Sequence, residues 1–335
     1  MGKVMLEVRN LKTKYVTRFH EDVYAVDGVS FKIEEGKSLG IAGESGCGKS
    51  TLALSMMGYY FPPLHYMSGD IVIDGRNISG MKPDDVRKSI LGTEIAYIPQ
   101  AAMNALNPTQ RIIRFIEDVV RAHDPKKDKK LIRELAEARF AELGLPPEVL
   151  DKHAVELSGG MKQRVVIAIA LACSPKLLIA DEPTTALDVT IQAQVLELMK
   201  DLINNRDMSM LMITHSLGIV AEVCDDMAVM YAGRIVEKGT VDDVFNNMRH
   251  PYTEGLFNSL PNLKEQGEML EPIKGLMPDP ADLPPGCTFA PRCPYATEAC
   301  SASVPELHSV DGSKTHFVAC HAYSRPGFAL RRNQK

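Results

Sequence analysis

Residues 43–51 carry the side chains whose types and spacing are best suited to chemistry. In order they are Gly43, Glu44, Ser45, Gly46, Cys47, Gly48, Lys49, Ser50 and Thr51. They fit the template G-x-x-x-x-G-K-[ST], in which glycines let backbone N–H groups curl inward into a nest for anions. Lys49 would reach the β- and γ-phosphates, and Ser50 would offer its hydroxyl to Mg²⁺. The stretch therefore predicts a site for ATP with Mg²⁺, and we call it the phosphate loop.

A pair of acidic residues supplies the groups that hydrolysis needs. Asp181 and Glu182 follow the apolar run Leu177–Ala180, which is typical of a buried strand. An acid at such a strand end can hold Mg²⁺, usually through water. The next acid, Glu182, can polarise the attacking water as a general base. The pair therefore predicts that the bound nucleotide is hydrolysed.

A second possible anion site lies in the run Leu157–Gln163. Ser158 is the expected N-cap, and Gly159 and Gly160 open a helix from Met161 to Ala172. The N-terminus of a helix attracts anions, yet one nucleotide does not need two such cradles from one chain. We therefore expect two chains head to tail, with this run of one chain over the γ-phosphate held by the other.

The surrounding pattern predicts an α/β fold that positions these groups. A short buried strand at residues 38–42 precedes the phosphate loop, and a helix from Lys49 to about residue 58 follows it. Apolar runs at residues 177–180 and 210–213 predict parallel strands, with a crossover helix at residues 191–204. Alternating residues near the N-terminus predict an antiparallel layer. Asp124-Pro125 predicts the start of one helix in a mostly helical segment, residues 101–157.

Composition limits the class of protein. The chain has 335 residues, 45% hydrophobic and 24% charged, with a net charge of −5. That balance is typical of a soluble globular protein and gives no basic field for nucleic acid. The longest apolar run, residues 165–173, is too short to cross a bilayer. With no signal-peptide pattern at the N-terminus, we predict a cytoplasmic protein whose membrane role would come through a partner.

Four cysteines lie close together near the C-terminus. They are Cys287, Cys293, Cys300 and Cys320, with the spacing C-x₅-C-x₆-C-x₁₉-C. In a reducing compartment such a group predicts a metal site before it predicts disulfides. Four thiolates can hold either Zn²⁺ or a [4Fe–4S] cluster, and free thiols are a third possibility. The spacing lacks the short C-x₂₋₄-C knuckle of most zinc sites, which favours the iron–sulfur cluster.

The order of these motifs over residues 4–240 resembles that of ABC-type ATPases. Leu157–Gln163 is similar to the signature motif of that family, and Gln100 is similar to its Q-loop glutamine. The resemblance extends to a D-loop that ends at Asp188, a switch histidine and an aromatic that stacks on adenine. The histidine is His215, and the aromatic is Tyr15, with Phe19 or Tyr24 as alternatives.

The resemblance implies a P-loop NTPase of the ABC type, with a mixed sheet core, an antiparallel β subdomain and a helical subdomain at about residues 101–157. The ATPase domain would span residues 1–240. A small irregular Cys-rich C-terminal extension would span residues 241–335. Gln100 would respond to Mg²⁺, and His215 would stabilise charge on the γ-phosphate.

The C-terminal extension resembles that of peptide-permease ATPases, the dipeptide, oligopeptide and nickel uptake group. The resemblance rests on the runs H-P-Y-T at residues 250–253 and P-R-C-P at residues 291–294. It implies an ATPase subunit that powers peptide import at the cytoplasmic face of the membrane. It also implies a second ATPase subunit (the same chain or a related one), two permease subunits, an indirect link to an extracytoplasmic binding protein, and a structural iron–sulfur cluster.

Three alternatives remain open on sequence grounds. The cargo could be nickel or another small solute. The chain could be a soluble ABC ATPase of DNA repair or translation, although one cassette and a negative charge disfavour this. It could also be an iron–sulfur sensor with a vestigial ATPase, which the complete set of ATPase residues disfavours.

Overall fold

The computed structural model describes residues 2–18, 21–206, 208–259, 273–324 and 328–330. The strands in these ranges are β1 Val4–Val16, β2 Asp22–Glu34, β3 Ser38–Ala42, β4 Leu64–Ile73, β5 Arg76–Asn77, β6 Ile95–Ile98, β7 Leu177–Asp181, β8 Ser209–Thr214, β9 Asp226–Tyr231, β10 Arg234–Thr240, β11 His308–Ser309 and β12 Phe317–Val318. The helices are α1 Lys49–Met56, α2 Pro83–Ser89, α3 Ile112–His123, α4 Lys129–Glu142, α5 Gly159–Ala170, α6 Val189–Arg206, α7 Leu217–Val223, α8 Val241–Asn246, α9 Pro251–Asn258 and α10 Glu298–Ala302.

The larger sheet is mixed and has the strand order β11-β12-β10-β9-β3-β8-β7-β6. Strands β9, β3, β8, β7 and β6 are parallel neighbours, and the remaining pairs are antiparallel. Every residue of β3, β7 and β8 is buried, as expected for strands covered on both faces. The predicted α/β fold with a mixed sheet core is confirmed.

The order of the parallel strands brings the predicted chemical groups to one edge. The phosphate loop follows β3, and the acidic pair lies at the end of β7. Gln100 follows β6, and His215 follows β8. Ligands of open α/β sheets bind beyond the carboxyl ends of the strands, so this edge is where a nucleotide is expected.

The smaller sheet is antiparallel, with the order β2-β1-β4-β5. Alternate residues of β1 and β2 are buried, which follows from the period-two pattern that predicted these strands. Strand β1 pairs with both β2 and β4. Near its C-terminal end Tyr15 lies opposite Val23 of β2 and Leu64 of β4. The sheet therefore holds Tyr15 beside the larger sheet's carboxyl edge.

The helical segment at about residues 101–157, which we call the helical insert, contains α3 and α4. Both helices pack on α5, the helix that begins within the signature motif. Ile132, Ala136 and Phe140, which recur at helical spacing along α4, are all 0% exposed. The predicted start at Asp124 is wrong, because α4 begins at Lys129 and the side chain of Asp128 accepts a hydrogen bond from the backbone of Lys130. Asp124 instead ends α3.

The C-terminal extension joins the larger sheet through β12, which pairs with β10 at Glu237↔Val318 and Lys238↔Phe317. Its aromatic side chains share a hydrophobic core with the ATPase part of the chain, including Tyr231, Tyr252 and Phe289. The division at residue 240 stays a prediction. The structure adds that the two parts share a sheet and a core.

A buried carboxylate fastens the extension to strand β10. Glu237 has a fully buried side chain and accepts hydrogen bonds from the backbone N–H of Arg249 at 2.6 Å and of His250 at 2.9 Å. The Nε2 atom of His316 lies 2.8 Å from the same carboxylate. Three donors from two segments of the extension therefore converge on one side chain.

Replacing Glu237 with alanine is expected to lower the free energy of unfolding by about 3 kcal/mol, because three buried donors lose their acceptor. Urea unfolding followed by circular dichroism measures the change. The exposed Glu306 of the same extension provides the control, and Glu306→Ala should leave the curve unchanged. Equal stabilities of the two variants would show that Glu237 does not anchor the extension.

Within the described ranges, the model contains no helix with the length and apolarity that a membrane span requires.

Candidate nucleotide site

The phosphate loop has the conformation of an anion nest. Gly48, the residue before helix α1, has φ +105°, which is a region that favours glycine. A Cβ at this position would lie 2.1 Å from the carbonyl oxygen of Ala25. Helix α1 begins at the next residue, so its N-terminal N–H groups point to the same space. The local sequence thus builds the backbone geometry that the motif predicted.

Lys49 is buried and folded back on the loop. Its Nζ donates to the carbonyl oxygens of Gly43 at 2.7 Å and of Glu44 at 2.9 Å, and lies 3.6 Å from Cys47 Sγ. The ammonium is therefore at the mouth of the nest and held by the loop itself.

A cavity of about 260 Å³ opens in front of the phosphate loop. It brings together residues from seven separate stretches of the chain, namely Tyr15, Val23, Tyr24, Ala25, Ser45, Gly46, Gly48, Lys49, Ser50, Thr51, Gln100, Glu182, Ala232, Gly233, Met277, Pro278 and Pro280. Nine of the eighteen residues that the sequence predicted for the ATP site therefore line one cavity. The hairpin turn at Ala232-Gly233 and residues 277–280 were not predicted there.

Asp181 is suited to hold Mg²⁺. Its side chain is 1% exposed, and its Oδ2 accepts a hydrogen bond of 3.3 Å from the Tyr97 hydroxyl. Its Oδ1 is buried and has no hydrogen-bond partner among the described residues. Burial raises the pKa of Asp181, while contacts with Ser50 and Tyr97 oppose the rise. A buried carboxylate with one orphaned oxygen, in a side chain that interacts with Ser50, fits a hard cation.

Glu182 lies at the centre of a polar cluster. Its Oε1 is 3.1 Å from Nδ1 of His215, and its Oε2 accepts from Thr185 at 3.0 Å and from Gln100 at 3.2 Å. Burial opposes ionisation, but the hydrogen bonds from His215 and Thr185 outweigh it and lower the pKa of Glu182. The carboxylate is therefore ionised at neutral pH, as a general base must be.

The backbone of Glu182 has φ +48°, which is uncommon for a residue other than glycine. Its N–H donates to the carbonyl oxygen of Ile213 at 2.8 Å. Strained conformations persist only when the surroundings impose them, and they concentrate at functional sites. Here the strain directs the carboxylate away from β7 and towards Gln100 and His215.

Tyr15 and Tyr24 both line the cavity. The Tyr15 hydroxyl lies 3.1 Å from Thr51 Oγ1, which fixes its ring beside the start of α1. Tyr24 is 37% exposed. The third aromatic candidate, Phe19, lies outside the described residues.

The signature residues lie apart from the cavity of their own chain. Ser158 caps α5 by accepting from the N–H of Met161 at 3.4 Å, and Gly159 is exposed at the helix start. Asp188 caps α6 by accepting from Ile191 N at 3.0 Å, and the neighbouring Val189 is 84% exposed. Gly160 approaches α6 so closely that a Cβ would lie 2.8 Å from Ile191 Cγ2.

The C-terminal extension contacts the phosphate loop at Glu44. Arg292 donates to both carboxylate oxygens, at 2.6 and 3.0 Å, and the Tyr252 hydroxyl accepts from the Glu44 N–H at 2.8 Å. The sequence contained a signal for this contact, because Tyr252 and Arg292 belong to the H-P-Y-T and P-R-C-P runs. On sequence grounds alone, those runs support only the family resemblance.

His250 explains the first position of the H-P-Y-T run. It is 1% exposed and accepts a hydrogen bond of 3.0 Å from the N–H of Tyr252, which caps α9. Burial lowers the pKa of His250 to about 3, so the ring stays neutral and can accept. The cap fixes the start of α9 and with it the Tyr252 hydroxyl beneath the phosphate loop.

The predicted metal centre at the four cysteines is wrong. Cys287, Cys293, Cys300 and Cys320 line one small cavity, but in the described part of the chain no group of three or more His, Cys, Asp or Glu side chains could hold a metal ion. Phe289, Ala290 and Tyr295 share that cavity. Neither the [4Fe–4S] cluster nor Zn²⁺ is supported, and the extension is held by its aromatic core and Glu237 instead.

The fold and the site together define an ABC-type ATPase. A family model described as ABC transporter matches residues 26–185. A second model, described as oligopeptide/dipeptide transporter, C-terminal region, matches residues 236–300.

Relatives and solved structures agree with these matches. The chain is 46% identical to the oligopeptide transport ATP-binding protein AppD of Bacillus subtilis, over 96% of this chain and 98% of that one. It is 42% identical to the dipeptide transport ATP-binding protein DppD of Haemophilus influenzae, over 89% of each. The structure of the dimeric bacterial ABC transporter cassette MJ0796 is similar with a TM-score of 0.62 at 25% identity, over 71% of this chain and 99% of that one. The chain therefore belongs to the family of oligopeptide/dipeptide ABC transporter ATP-binding proteins.

Proposed function

We propose that the chain is the ATP-hydrolysing subunit of an ABC importer of di- or oligopeptides. The observation that carries the proposal is the match of residues 236–300 to the C-terminal region of oligopeptide and dipeptide transporters, in a chain whose ATPase groups converge on one cavity. The relatives' names support peptides as cargo rather than nickel. They also disfavour a role in DNA repair or translation.

In this proposal ATP binds with its phosphates in the nest of residues 43–51. Lys49 leaves the carbonyl oxygens of Gly43 and Glu44 to bind the β- and γ-phosphates, and Tyr15 stacks on adenine. Ser50 and Asp181 would hold Mg²⁺, which would neutralise phosphate charge, and Gln100, which lines the same cavity, would respond to it. The orphaned Oδ1 of Asp181 and the lining of the cavity support this placement.

Glu182 acts as the general base for the attacking water, and His215 stabilises the charge that develops on the γ-phosphate. The 3.1 Å contact between the two side chains and the lowered pKa of Glu182 support these roles. Hydrogen-bond donors aimed at developing charge are a large source of catalysis.

The site is completed by a second ATPase chain, either another copy or a related subunit. Ser158 and Gly159 lie exposed and Gly160 half-buried at the start of α5, outside the lining of their own chain's cavity, as residues that serve a partner's nucleotide would. Asp188 and the exposed Val189 lie at the start of α6, where the second chain would pack. The MJ0796 cassette is itself dimeric, according to its description.

Two permease subunits would anchor this dimer at the cytoplasmic face of the membrane, and a binding protein outside would act indirectly. ATP binding would close the dimer, hydrolysis would open it, and the helical insert would pass the motion to the permeases.

Cells of the source organism lacking this chain should lose uptake of labelled di- and tripeptides. Wild-type protein should restore uptake. The Glu182→Gln variant should leave uptake at the level of the deletion strain, because its dimer can close on ATP but cannot reopen without hydrolysis. Glu306→Gln, a change at an exposed residue of the extension, is the matched control and should restore uptake fully. Loss of labelled nickel uptake with normal peptide uptake would contradict the peptide assignment.

A further inference from the structure

We propose that Arg292 is a positioning residue of the nucleotide site, which holds Glu44 and thereby sets the affinity of the phosphate loop for ATP. The inference rests on the proposed function, since it assumes that ATP binds at this loop. It assigns to the C-terminal extension a part in nucleotide binding.

The side-chain contact between Arg292 and Glu44 is bidentate and largely buried. Nη1 lies 2.6 Å from Oε2 and Nη2 lies 3.0 Å from Oε1, with the arginine side chain 6% exposed and the glutamate 30%. Nε of Arg292 donates to the carbonyl oxygen of Lys274 at 3.1 Å, and its guanidinium carbon lies 5.8 Å from the centre of the Tyr231 ring. Arg292 is therefore itself held in place, so it can restrain Glu44.

The backbone of Glu44 is fixed on both sides. Its N–H donates to the Tyr252 hydroxyl at 2.8 Å, and its carbonyl oxygen accepts from Lys49 Nζ at 2.9 Å. The Tyr252 ring packs against Tyr231 and Phe289, with ring centres 4.6 and 5.3 Å apart. Because Lys49 must leave the Glu44 carbonyl oxygen to bind the outer phosphates, the position of Glu44 affects the phosphate affinity of the loop.

Charge gives the contact a second effect. Glu44 is an acidic residue inside a loop that must accept a triphosphate, and like charges in a partly buried site repel strongly. Arg292 neutralises this carboxylate and turns it towards the extension. Without Arg292 the carboxylate would be free to lower the affinity for phosphate.

The extension also reaches the cavity directly. Met277, Pro278 and Pro280 form part of its lining, and a Cβ on Gly46 of the loop would lie 3.4 Å from Met277 Cε. Residues 277–280 and Arg292 therefore contact the nucleotide site from the same segment of the chain.

The test compares the Kd for MgATP, by titration with a fluorescent ATP analogue, of the wild type and of Arg292→Gln, Glu44→Gln and the double variant. Arg292→Gln should weaken binding about tenfold, as loss of a charge-assisted bidentate contact predicts. The KM for ATP should rise, with kcat at saturating ATP little changed. Glu44→Gln in the Arg292→Gln background should restore the affinity to within about threefold of wild type, because the unpaired carboxylate is gone.

Arg133→Gln is the matched control. Arg133 makes a similar bidentate contact with Asp151, at 3.1 and 2.8 Å, in the helical insert away from the cavity, and its removal should leave the Kd unchanged. If Arg292→Gln does not fold, Arg292→Lys serves instead. It should weaken MgATP binding about threefold, because lysine keeps the positive charge but cannot make the bidentate contact with Glu44.

A wild-type Kd in Arg292→Gln, with or without a lower melting temperature, would overturn the inference, because Arg292 would then only stabilise the fold. A double variant as weak as Arg292→Gln alone would also overturn it. Failure of the wild type to bind the analogue would instead overturn the proposed function, and this inference with it.

Discussion

Replacing Glu182 with glutamine is expected to reduce ATP hydrolysis about 10³-fold while leaving ATP binding unchanged, because a general base contributes roughly this much. Glutamine has the same shape and can keep contacts with Thr185 and Gln100, but it cannot take a proton from water. Since the pKa of Glu182 is lowered, the wild-type carboxylate is ionised across the neutral range. The difference between variant and wild type should therefore not change with pH there.

Phosphate release and equilibrium binding of labelled ATP measure the two halves of this prediction. Glu197→Gln is the matched control, since Glu197 is exposed on α6, and it should behave as wild type. The Glu182→Gln protein should also accumulate an ATP-bound dimer, because closure no longer ends in hydrolysis. Turnover within about twofold of the wild type, far smaller than the effect of losing a base, would remove Glu182 from that role.

Replacing Gly159 with aspartate is expected to abolish hydrolysis and ATP-dependent association, with an effect of about 10² or more on turnover, while each chain still binds ATP. A carboxylate at the start of α5 would face the γ-phosphate of the partner's nucleotide and repel it. The substitution should fold, because a Cβ at Gly159 would make only ordinary contacts, at 3.7 Å to Met103 Sδ and 3.9 Å to Leu187 Cδ2.

Gly80→Asp provides the control for that prediction, because a Cβ at Gly80 meets nothing within 4 Å and the residue is exposed. It adds the same charge and should leave turnover unchanged. A Gly159→Asp protein that binds ATP and hydrolyses it at the wild-type rate would show that the signature does not take part.

The residues of the proposed nucleotide site can be recognised in the sequence because each part of the site is encoded locally. The nest of residues 43–51 depends on glycines within the loop itself, and the buried strand before Asp181 is recognisable from its apolar run alone. The placement of four such groups at one edge then follows from the parallel pairing of β6, β7, β8 and β3, because the carboxyl ends of parallel strands lie at the same edge.

The contact between the extension and the loop could not be predicted in the same way. Glu44 and Arg292 are 248 positions apart, and no periodic pattern connects them. The pair depends on how α9 and the segment that contains Arg292 pack over Tyr231, which is a tertiary outcome. In the sequence, only the position of Arg292 in the P-R-C-P run indicates that this residue has a specific role.

Two predictions failed because local patterns were ambiguous. Asp124-Pro125 and Asp128 can each begin a helix. In the structure it is the side chain of Asp128 that accepts a hydrogen bond from the N–H of Lys130 and caps α4. The cysteine spacing predicted a metal centre, but spacing along the sequence does not show which other side chains pack between the thiols in the fold. Phe289, Ala290 and Tyr295 line that same cavity, and the described residues form no metal-binding group there.

The account depends most on the claim that one chain supplies half of a nucleotide site. The direct measurement is the ATPase activity per chain of the purified protein over a dilution series, with the mass of the particles determined at each concentration. We expect activity per chain to fall with the fraction of dimer, or to be low throughout and restored by a related ATPase subunit. Full activity per chain at concentrations where every particle is a monomer would contradict the account.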